Sequence, residues 1–192
     1  MKHQGGPTDQ AGLRQRMKTQ SEKGLGQLRA FIVDDNENMR ALLRRFLNAI
    51  DMRMVFEYPD GQAALAELPL VQPDFILSDL SMVPMDGVAF AQAVRRSTNE
   101  LVRVLPIIMI TGHTERRRVE ATRDAGVNEI LAKPVTAASL MHRIEEIILR
   151  PRPFVSSPNY FGPCRRRQRN PYYTGPFRRS TDAQTEGAED SV

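Results

Sequence analysis

Four short apolar runs in this sequence each lead into a residue that could do chemistry. The runs are too short for helices, and their aliphatic content is typical of strands buried on both faces of a parallel sheet. The carboxyl ends of parallel strands meet at one edge of the sheet, where open α/β sheets bind their ligands. We therefore expect acids, a hydroxyl and an amine to converge there. The runs and the residues that follow them are Phe75–Leu77 with Asp79, Leu28–Val33 with Asp34 and Asp35, Pro106–Ile110 with Thr111, and Glu129–Ala132 with Lys133.

The charges of this group indicate which ligand it could bind. Asp34, Asp35 and Asp79 repel one another unless a cation lies among them. A hard divalent ion with oxygen ligands, Mg²⁺ at about 2.0–2.1 Å, is the natural neutralising group. Lys133 and Thr111, on the other side of Asp79, suit the oxygens of a phosphoryl group. The group therefore predicts phosphoryl chemistry on Asp79.

The elements that must position these residues can be read from apolar periodicity and from turn residues. Apolar residues at helical spacing alternate along the chain with the strands named above, which indicates five β/α units. Gly126 follows the fourth helical pattern as a left-handed cap, and Pro151 and Pro153 end the last one. The remaining predicted elements are helix α1 at Glu37–Ala49, strand β2 at Met52–Phe56, helix α2 from Asp60-Gly61, helix α3 ending near Arg95-Arg96, helix α4 at Thr114–Asp124, strand β5 at Ile130-Leu131 and helix α5 from Thr136 to Arg150.

With these residues in place, the sequence resembles the receiver domains of two-component response regulators, of the chemotaxis-regulator type. The resemblance covers roughly residues 27–149. It rests on Asp34-Asp35, Asp79 within DLSMVPMDG, Thr111 and Lys133-Pro134, which occur in the order and at the spacing of receivers. The implied fold is α/β and flavodoxin-like, a doubly wound five-stranded parallel sheet with strand order 2-1-3-4-5.

The resemblance also implies roles for the residues. Asp79 is expected to accept a phosphoryl group from a phosphohistidine of a sensor histidine kinase or a histidine phosphotransfer protein. Asp35, Asp79 and the backbone carbonyl of Ser81 are expected to ligate Mg²⁺, with Asp34 acting largely through water. Thr111 would hydrogen-bond a phosphoryl oxygen, and Lys133 would pair with it.

The activity implied by the resemblance is signalling. The only reactions expected are Mg²⁺-dependent self-phosphotransfer and autodephosphorylation, so the protein is not an enzyme in the ordinary sense. A downstream protein would recognise the phosphorylated form. A homodimer that forms through the α4-β5-α5 surface is one alternative. A receiver that binds its partner constitutively is a further alternative, but the complete set of acids with Thr111 and Lys133 argues against it.

Two positions depart from the receiver pattern. Many receivers have a proline four residues after the acceptor, where this chain has Val83 and the proline is Pro84. The loop after Asp79 is therefore expected to differ. The usual aromatic switch residue is replaced by Ile130, so a swinging aromatic ring cannot be the signal.

Composition limits the class and compartment. A chain of 192 residues allows one good-sized domain with appendages. The single cysteine, Cys164, excludes an intramolecular disulfide framework and fits a reducing cytoplasm. The first residues lack the apolar core of a signal peptide, and no apolar run approaches the roughly 18 residues of a membrane span. We therefore predict a cytoplasmic protein without a membrane span.

Positive charge is concentrated at the two ends of the sequence. Residues 1–28 carry a net charge of +3, residues 29–149 of −3, and residues 150–192 of +4. The polar residues 1–26 are predicted to form a disordered arm, residues 27–150 the receiver domain, and residues 151–192 a Pro/Arg-rich tail that is also disordered. A helix-turn-helix of the kind that binds DNA is not expected after residue 150.

The tail contains an internal repeat. The segment PNYFGPCRR at 158–166 returns as PYYTGPFRR at 171–179 and matches at six of nine positions. Three hypotheses remain open, namely a protein docking motif, a nucleic-acid or anionic-surface binder whose aromatic residues stack on bases, and no specific role. Under the docking hypothesis, residues 151–180 bind a partner and the receiver controls their availability. The residues assigned to docking are Arg165, Arg166, Arg178 and Arg179.

Overall fold

The structure is a computed structural model that describes residues 23–112, 116–158 and 160–165. Five parallel strands form one sheet in the order β2-β1-β3-β4-β5, which confirms the predicted flavodoxin-like topology. A short 3₁₀ turn, Leu25–Gln27, and a single helical turn, Glu100–Arg103, are left unnumbered. The other elements are β1 Arg29–Val33, α1 Glu37–Ala49, β2 Met54–Tyr58, α2 Gly61–Val71, β3 Phe75–Asp79, α3 Gly87–Arg95, β4 Ile107–Thr111, α4 Arg116–Asp124, β5 Glu129–Ala132, α5 Ala137–Leu149, β6 Phe154–Ser157 and β7 Tyr160–Pro163.

The apolar runs identified in the sequence form the central strands because both faces of the sheet are covered. Alternate residues of each strand enter two separate apolar cores, one on each face. The core on the α1 and α5 face includes Ile32, Leu77 and Ile108. The core on the other face includes Phe31 and Ile76. All residues of β3 and β4 are buried, which explains why their sequences read as continuous apolar runs.

Helix caps fix where each chemical residue leaves the sheet. The side chain of Asn36 accepts a hydrogen bond from the Met39 amide and begins α1 immediately after the Asp34-Asp35 pair. Asp86 caps α3 in the same way, and Thr136 forms a capping box with Ser139 at the start of α5. The predicted start of α5 at Thr136 is thereby confirmed.

The ends of the predicted domain differ from the expectation. The arm predicted for residues 1–26 is folded from Lys23 onward, because the Lys23 ammonium lies 2.8 Å from Asp74 Oδ1. The prediction that the tail lacks regular structure is wrong for residues 154–163, which form the antiparallel pair of β6 and β7. We call residues 152–165 the hairpin. Residues 1–22 and 166–192 lie outside the described residues.

The hairpin folds despite its low aliphatic content because the receiver covers its aromatic rings. The Arg95 guanidinium lies 5.1 Å from the centre of the Phe154 ring, and the Arg103 guanidinium lies 3.8 Å from that of Phe161. The two rings also contact each other, with centroids 5.5 Å apart. Cations on the receiver therefore replace the aliphatic core that the tail lacks. Within the part of the chain that the structure describes, we find no helix with the length and apolar character needed to cross a membrane.

Candidate functional site

The ends of β1 and β3 bring the three predicted acids together. Asp34 and Asp79 are buried, whereas Asp35 is exposed. One carboxylate oxygen from each of the three residues lies within 4.8 Å of the others. The parallel pairing of β1 with β3 produces this cluster, since Val33 is the register partner of Ser78 and an acid follows each of them. At this separation the three negative charges repel one another strongly.

Asp79 is held in one orientation by a cation and an amide. The Lys133 ammonium lies 2.6 Å from Asp79 Oδ1, and the Ser81 backbone N–H donates to Asp79 Oδ2 at 2.9 Å. The pairing of β4 with β5 places Lys133 here, because Thr111 is the register partner of Ala132. The Lys133 amide also donates to the Thr111 carbonyl at 2.7 Å, and Thr111 is buried. The structure thus gathers Asp34, Asp35, Asp79, Ser81, Thr111 and Lys133 at the carboxyl edge of the sheet.

Asp34 is the least satisfied of the acids. Its Oδ1 accepts a hydrogen bond from the Asn36 amide at 2.8 Å, whereas its Oδ2 is buried and has no hydrogen-bond donor among the described residues. Burial raises the pKa of Asp34 to about 6; the Asn36 hydrogen bond opposes this shift, and the charge of Asp79 adds to it. A buried carboxylate oxygen without a donor is the group that a hard cation would satisfy. The donor set therefore fits Mg²⁺.

Gly87 is a further residue of the site that the sequence analysis did not identify. A Cβ atom at this position would lie 2.3 Å from the Asp79 carbonyl oxygen and 2.6 Å from Met109 Sδ. Its amide donates to the Leu80 carbonyl at 2.9 Å. A side chain here would therefore push the loop after Asp79 away from the sheet. The signal in the sequence is a glycine directly after the helix cap Asp86 and close to the acceptor.

The loop after Asp79 forms one wall of an open groove of about 500 Å³. The loop contains Val83, the position at which it departs from the usual receiver pattern. Val83 is 78% exposed. The other replaced position, Ile130, is half-buried against the core. Helix α4 forms the opposite wall, so the groove separates α4 from the loop beside Asp79. Its lining residues are Leu80, Ser81, Met82, Val83, Asp86, Val88, Arg118 and Ala121.

The residues assigned to tail docking are only partly described. The Arg165 guanidinium lies 2.6 Å from Asp124 Oδ1 and 4.6 Å from the centre of the Tyr160 ring. Phe161 lies under Arg103, so both aromatic residues of the first repeat copy are stacked on cations of the same chain. One face of each ring is thus occupied by a cation of the same chain, and the nucleic-acid hypothesis stays a prediction. Arg166, Arg178 and Arg179 lie outside the described residues.

Comparisons with known proteins agree with this geometry. The family model described as the response regulator receiver domain matches residues 30–145. The chain is 33% identical over 123 residues to a chemotaxis protein CheY of Pseudomonas aeruginosa, an alignment that covers 64% of this chain and 98% of that one. It is 32% identical over 123 residues to CheY-3 of Vibrio cholerae, covering 64% of this chain and 93% of that protein.

Solved structures give the same result for the fold. A putative response regulator from Chloroflexus aurantiacus superposes with a TM-score of 0.60 at 28% identity, covering 64% of this chain and 98% of that one. CheY4 of Vibrio cholerae superposes with a TM-score of 0.58 at 27% identity, covering 62% and 98%. The family match ends before the hairpin. By its fold, its acidic pocket and these matches, the chain belongs to the response regulator receiver domain family.

Proposed function

We propose that this receiver accepts a phosphoryl group on Asp79 from a phosphohistidine of a sensor histidine kinase or a histidine phosphotransfer protein. The observation that carries the proposal is the environment of the Asp79 carboxylate. It is fixed between the Lys133 ammonium and the Ser81 amide and lies beside two further carboxylates. A structural acid at the start of a helix would need neither the ammonium nor the acidic neighbours.

The proposed reaction is an in-line displacement at phosphorus. An oxygen of Asp79 attacks the phosphorus atom, and the new P–O bond forms as the P–N bond to the donor histidine breaks. The electron pair of that bond leaves on the imidazole nitrogen, which takes up a proton. Catalysis of this kind depends on positioning and on neutralising charge. Lys133 would compensate the charge on the phosphoryl oxygens, and the Thr111 hydroxyl would donate a hydrogen bond to one of them.

The same site would reset the signal. Water attacks the phosphorus of the acyl phosphate, the P–O bond to Asp79 breaks, and inorganic phosphate leaves. The Asp79 carboxylate is then free to pair again with Lys133, as it does in this structure at 2.6 Å. These two reactions are the only chemistry that we assign to the domain.

Receiver domains bind Mg²⁺ in this acidic pocket. In this chain the ligands would be the carboxylates of Asp35 and Asp79 and the backbone carbonyl of Ser81, with Asp34 acting largely through water. The Asp34 oxygen that has no donor among the described residues supports this set. When bound, the ion neutralises negative charge on the carboxylates and on the phosphoryl oxygens.

The output is assigned to protein–protein contacts. In the cytoplasm, the phosphoryl donor and the downstream target would each bind a surface of the domain, in its phosphorylated or its unphosphorylated state. A homodimer through the surface of α4, β5 and α5 is compatible with this function. We expect a partner of the repeat copies to bind the full chain and not a chain that ends at Arg150.

The acceptor can be tested with acetyl phosphate and Mg²⁺. We expect the intact mass of the full chain to increase by one phosphoryl group, and Asp79→Asn to abolish the increase. Asp86→Asn is the matched control, because Asn also caps helices and Asp86 serves as the cap of α3. Phosphoryl incorporation that persists in Asp79→Asn would show that another residue is the acceptor.

A further inference from the structure

The hairpin binds the edge of the sheet that lies opposite the phosphoacceptor. It contacts the C-terminal end of α3, the helical turn Glu100–Arg103, the start of β5, and the loop between α4 and β5. Asp79, Thr111 and Lys133 lie at the other end of the same strands, about 15 Å away for strands of this length. The hairpin is therefore not part of the acceptor pocket, and any influence on it must pass through another element.

The loop after α4 and the hairpin approach each other closely. Gly126, at a φ of +83°, lies two residues after the end of α4, and a Cβ there would lie 2.9 Å from the Phe161 carbonyl oxygen. A Cβ on Gly162 would lie 2.8 Å from the Gly126 Cα and 2.7 Å from the Tyr160 hydroxyl. Two glycines thus allow backbone to pack on backbone at this point.

Charged groups add to this contact. Arg165 of the hairpin pairs with Asp124, the last residue of α4, at 2.6 Å. Arg152 lies 3.7 Å from Glu129 and donates to the Asn128 carbonyl, in the segment that leads from α4 into β5. The hairpin therefore holds the C-terminal end of α4 and the residues that follow it.

Helix α4 itself has few buried contacts, although Ala125 and Val127 after it are buried in the core and the Gly126 carbonyl accepts from Arg95. It buries only Thr122, whereas α5 buries Leu140, Ile144, Ile147 and Ile148. The open groove lies along its side, between α4 and the loop after Asp79. An element with few buried apolar contacts has low local stability, so restraints at its ends decide its position. Its N-terminal end begins four residues after Gly112 and thus close in sequence to Thr111.

We propose that the hairpin restrains α4 and thereby opposes phosphorylation of Asp79. The inference rests on the proposed function of Asp79 as acceptor. The hairpin is bound in the arrangement in which Lys133 still pairs with the Asp79 carboxylate. Contacts that belong to this arrangement stabilise it, so a phosphoryl group that draws Lys133 away from the Asp79 carboxylate must act against them. Coupling is reciprocal, and therefore phosphorylation should loosen the hairpin as much as the hairpin opposes phosphorylation.

The single cysteine of the chain provides a direct reporter. Cys164 lies in the hairpin and is half-buried; its amide donates to the Pro153 carbonyl at 2.7 Å and its carbonyl accepts from Arg152. We expect a disulfide reagent such as DTNB to modify Cys164 about 5-fold faster after phosphorylation with acetyl phosphate and Mg²⁺. The same additions should leave the rate unchanged in Asp79→Asn.

The effect of the hairpin on phosphorylation can be tested with a pair of glycine substitutions. Gly162→Ala should loosen the hairpin and raise about 5-fold the fraction of the chain that is competent for phosphorylation, and with it the initial rate of phosphoryl incorporation measured by intact mass. Gly24→Ala is the matched control, because nothing lies within 4 Å of a Cβ at that position. Arg165→Ala should raise the rate less and in the same direction, and it covers the case in which Gly162→Ala does not fold.

The outcomes separate this inference from the proposed function. A mass increase with an unchanged rate of Cys164 modification, and with unchanged incorporation in Gly162→Ala or Arg165→Ala, would overturn the restraint while leaving Asp79 as acceptor. Absence of any mass increase in the full chain and in all variants would overturn the acceptor assignment and the coupling with it.

Discussion

The two ends of the parallel sheet both bury a charged side chain, but they treat it in opposite ways. At the amino edge, Arg95 is buried and its guanidinium donates to the carbonyls of Gly126, Arg103 and Leu105 at 2.8–3.0 Å and to the Asn128 side chain at 3.1 Å. At the carboxyl edge, Asp34 is equally buried, and one of its oxygens has no donor among the described residues. The charge of Arg95 is satisfied within the described chain, and that of Asp34 is not.

The difference indicates that the charge of Arg95 stabilises the fold, whereas the charge of Asp34 belongs to a ligand-binding site. Burial lowers the pKa of Arg95 to about 9, so the guanidinium keeps its charge at neutral pH and its hydrogen bonds remain charge-assisted. Arg95 thereby joins α3, β4 and the loop before β5. Asp34 lies beside two other carboxylates with one ammonium, that of Lys133, within the described cluster. A charge that the fold leaves uncompensated points to a group that binds there.

The largest effect on stability is expected from removing the buried charge of Arg95 at the amino edge. Arg95→Ala removes the guanidinium donor of three carbonyls and one of the two donors to the Asn128 side-chain oxygen in a buried place, so the free energy of unfolding should fall by about 3–5 kcal/mol. Urea denaturation followed by circular dichroism measures it. The neighbouring Arg96 is exposed, and Arg96→Ala should change the value by less than about 0.5 kcal/mol. Equal losses in the two variants would contradict an architectural role for Arg95.

Removing the buried charge of Asp34 at the carboxyl edge should have the opposite effect on stability. Asp34→Asn removes one of three clustered negative charges, so without divalent ions the free energy of unfolding should rise by about 1–3 kcal/mol. The stabilisation that Mg²⁺ gives the unaltered chain should shrink, because the charge that favours the ion is gone.

A second buried acid provides the control for Asp34→Asn. Asp74 lies at the amino edge and is satisfied by the Lys23 ammonium at 2.8 Å and the Arg29 amide at 2.9 Å. Asp74→Asn should therefore lower the free energy of unfolding, with or without Mg²⁺. If both substitutions destabilise the protein in metal-free buffer, the charge of Asp34 is compensated by a group other than Lys133.

The carboxyl edge could be predicted from the sequence because its signals are local. Each of its residues directly follows an apolar run, and parallel pairing then fixes that the ends of the runs meet. Asp79, Asp34 and Lys133 were placed correctly for this reason. Strand β2 was predicted two residues too early, since its residues are only half-buried and their apolar pattern is weaker.

The amino edge could not be predicted because its signals are non-local. The partners of Arg95 at Gly126 and Asn128 are 31 and 33 residues away in sequence, and nothing in the local pattern marks an arginine that ends a helix as buried. The hairpin could not be predicted because the tail has too few aliphatic residues to form a core of its own. Its rings instead pack under arginines of the receiver, a contact that composition does not reveal. The helical turn at Glu100–Arg103 is too short to show a helical period.

The smallest expected effect tests whether cations stabilise the hairpin as a core would. Arg103→Ala removes the guanidinium that lies 3.8 Å from the centre of the Phe161 ring, and such contacts contribute about 0.5–1 kcal/mol. The Arg103 Nε atom is also buried and has no acceptor among the described residues, which offsets part of the loss. We therefore expect the free energy of unfolding to fall by at most about 1 kcal/mol, whereas Cys164 should become more reactive towards DTNB because the hairpin opens more often. Arg53, which is mostly exposed and pairs with the exposed Asp51, provides the control. If Arg103→Ala leaves the reactivity of Cys164 as low as Arg53→Ala does, the guanidinium does not hold the hairpin, and the backbone contact of Gly162 with Gly126 is sufficient to position it.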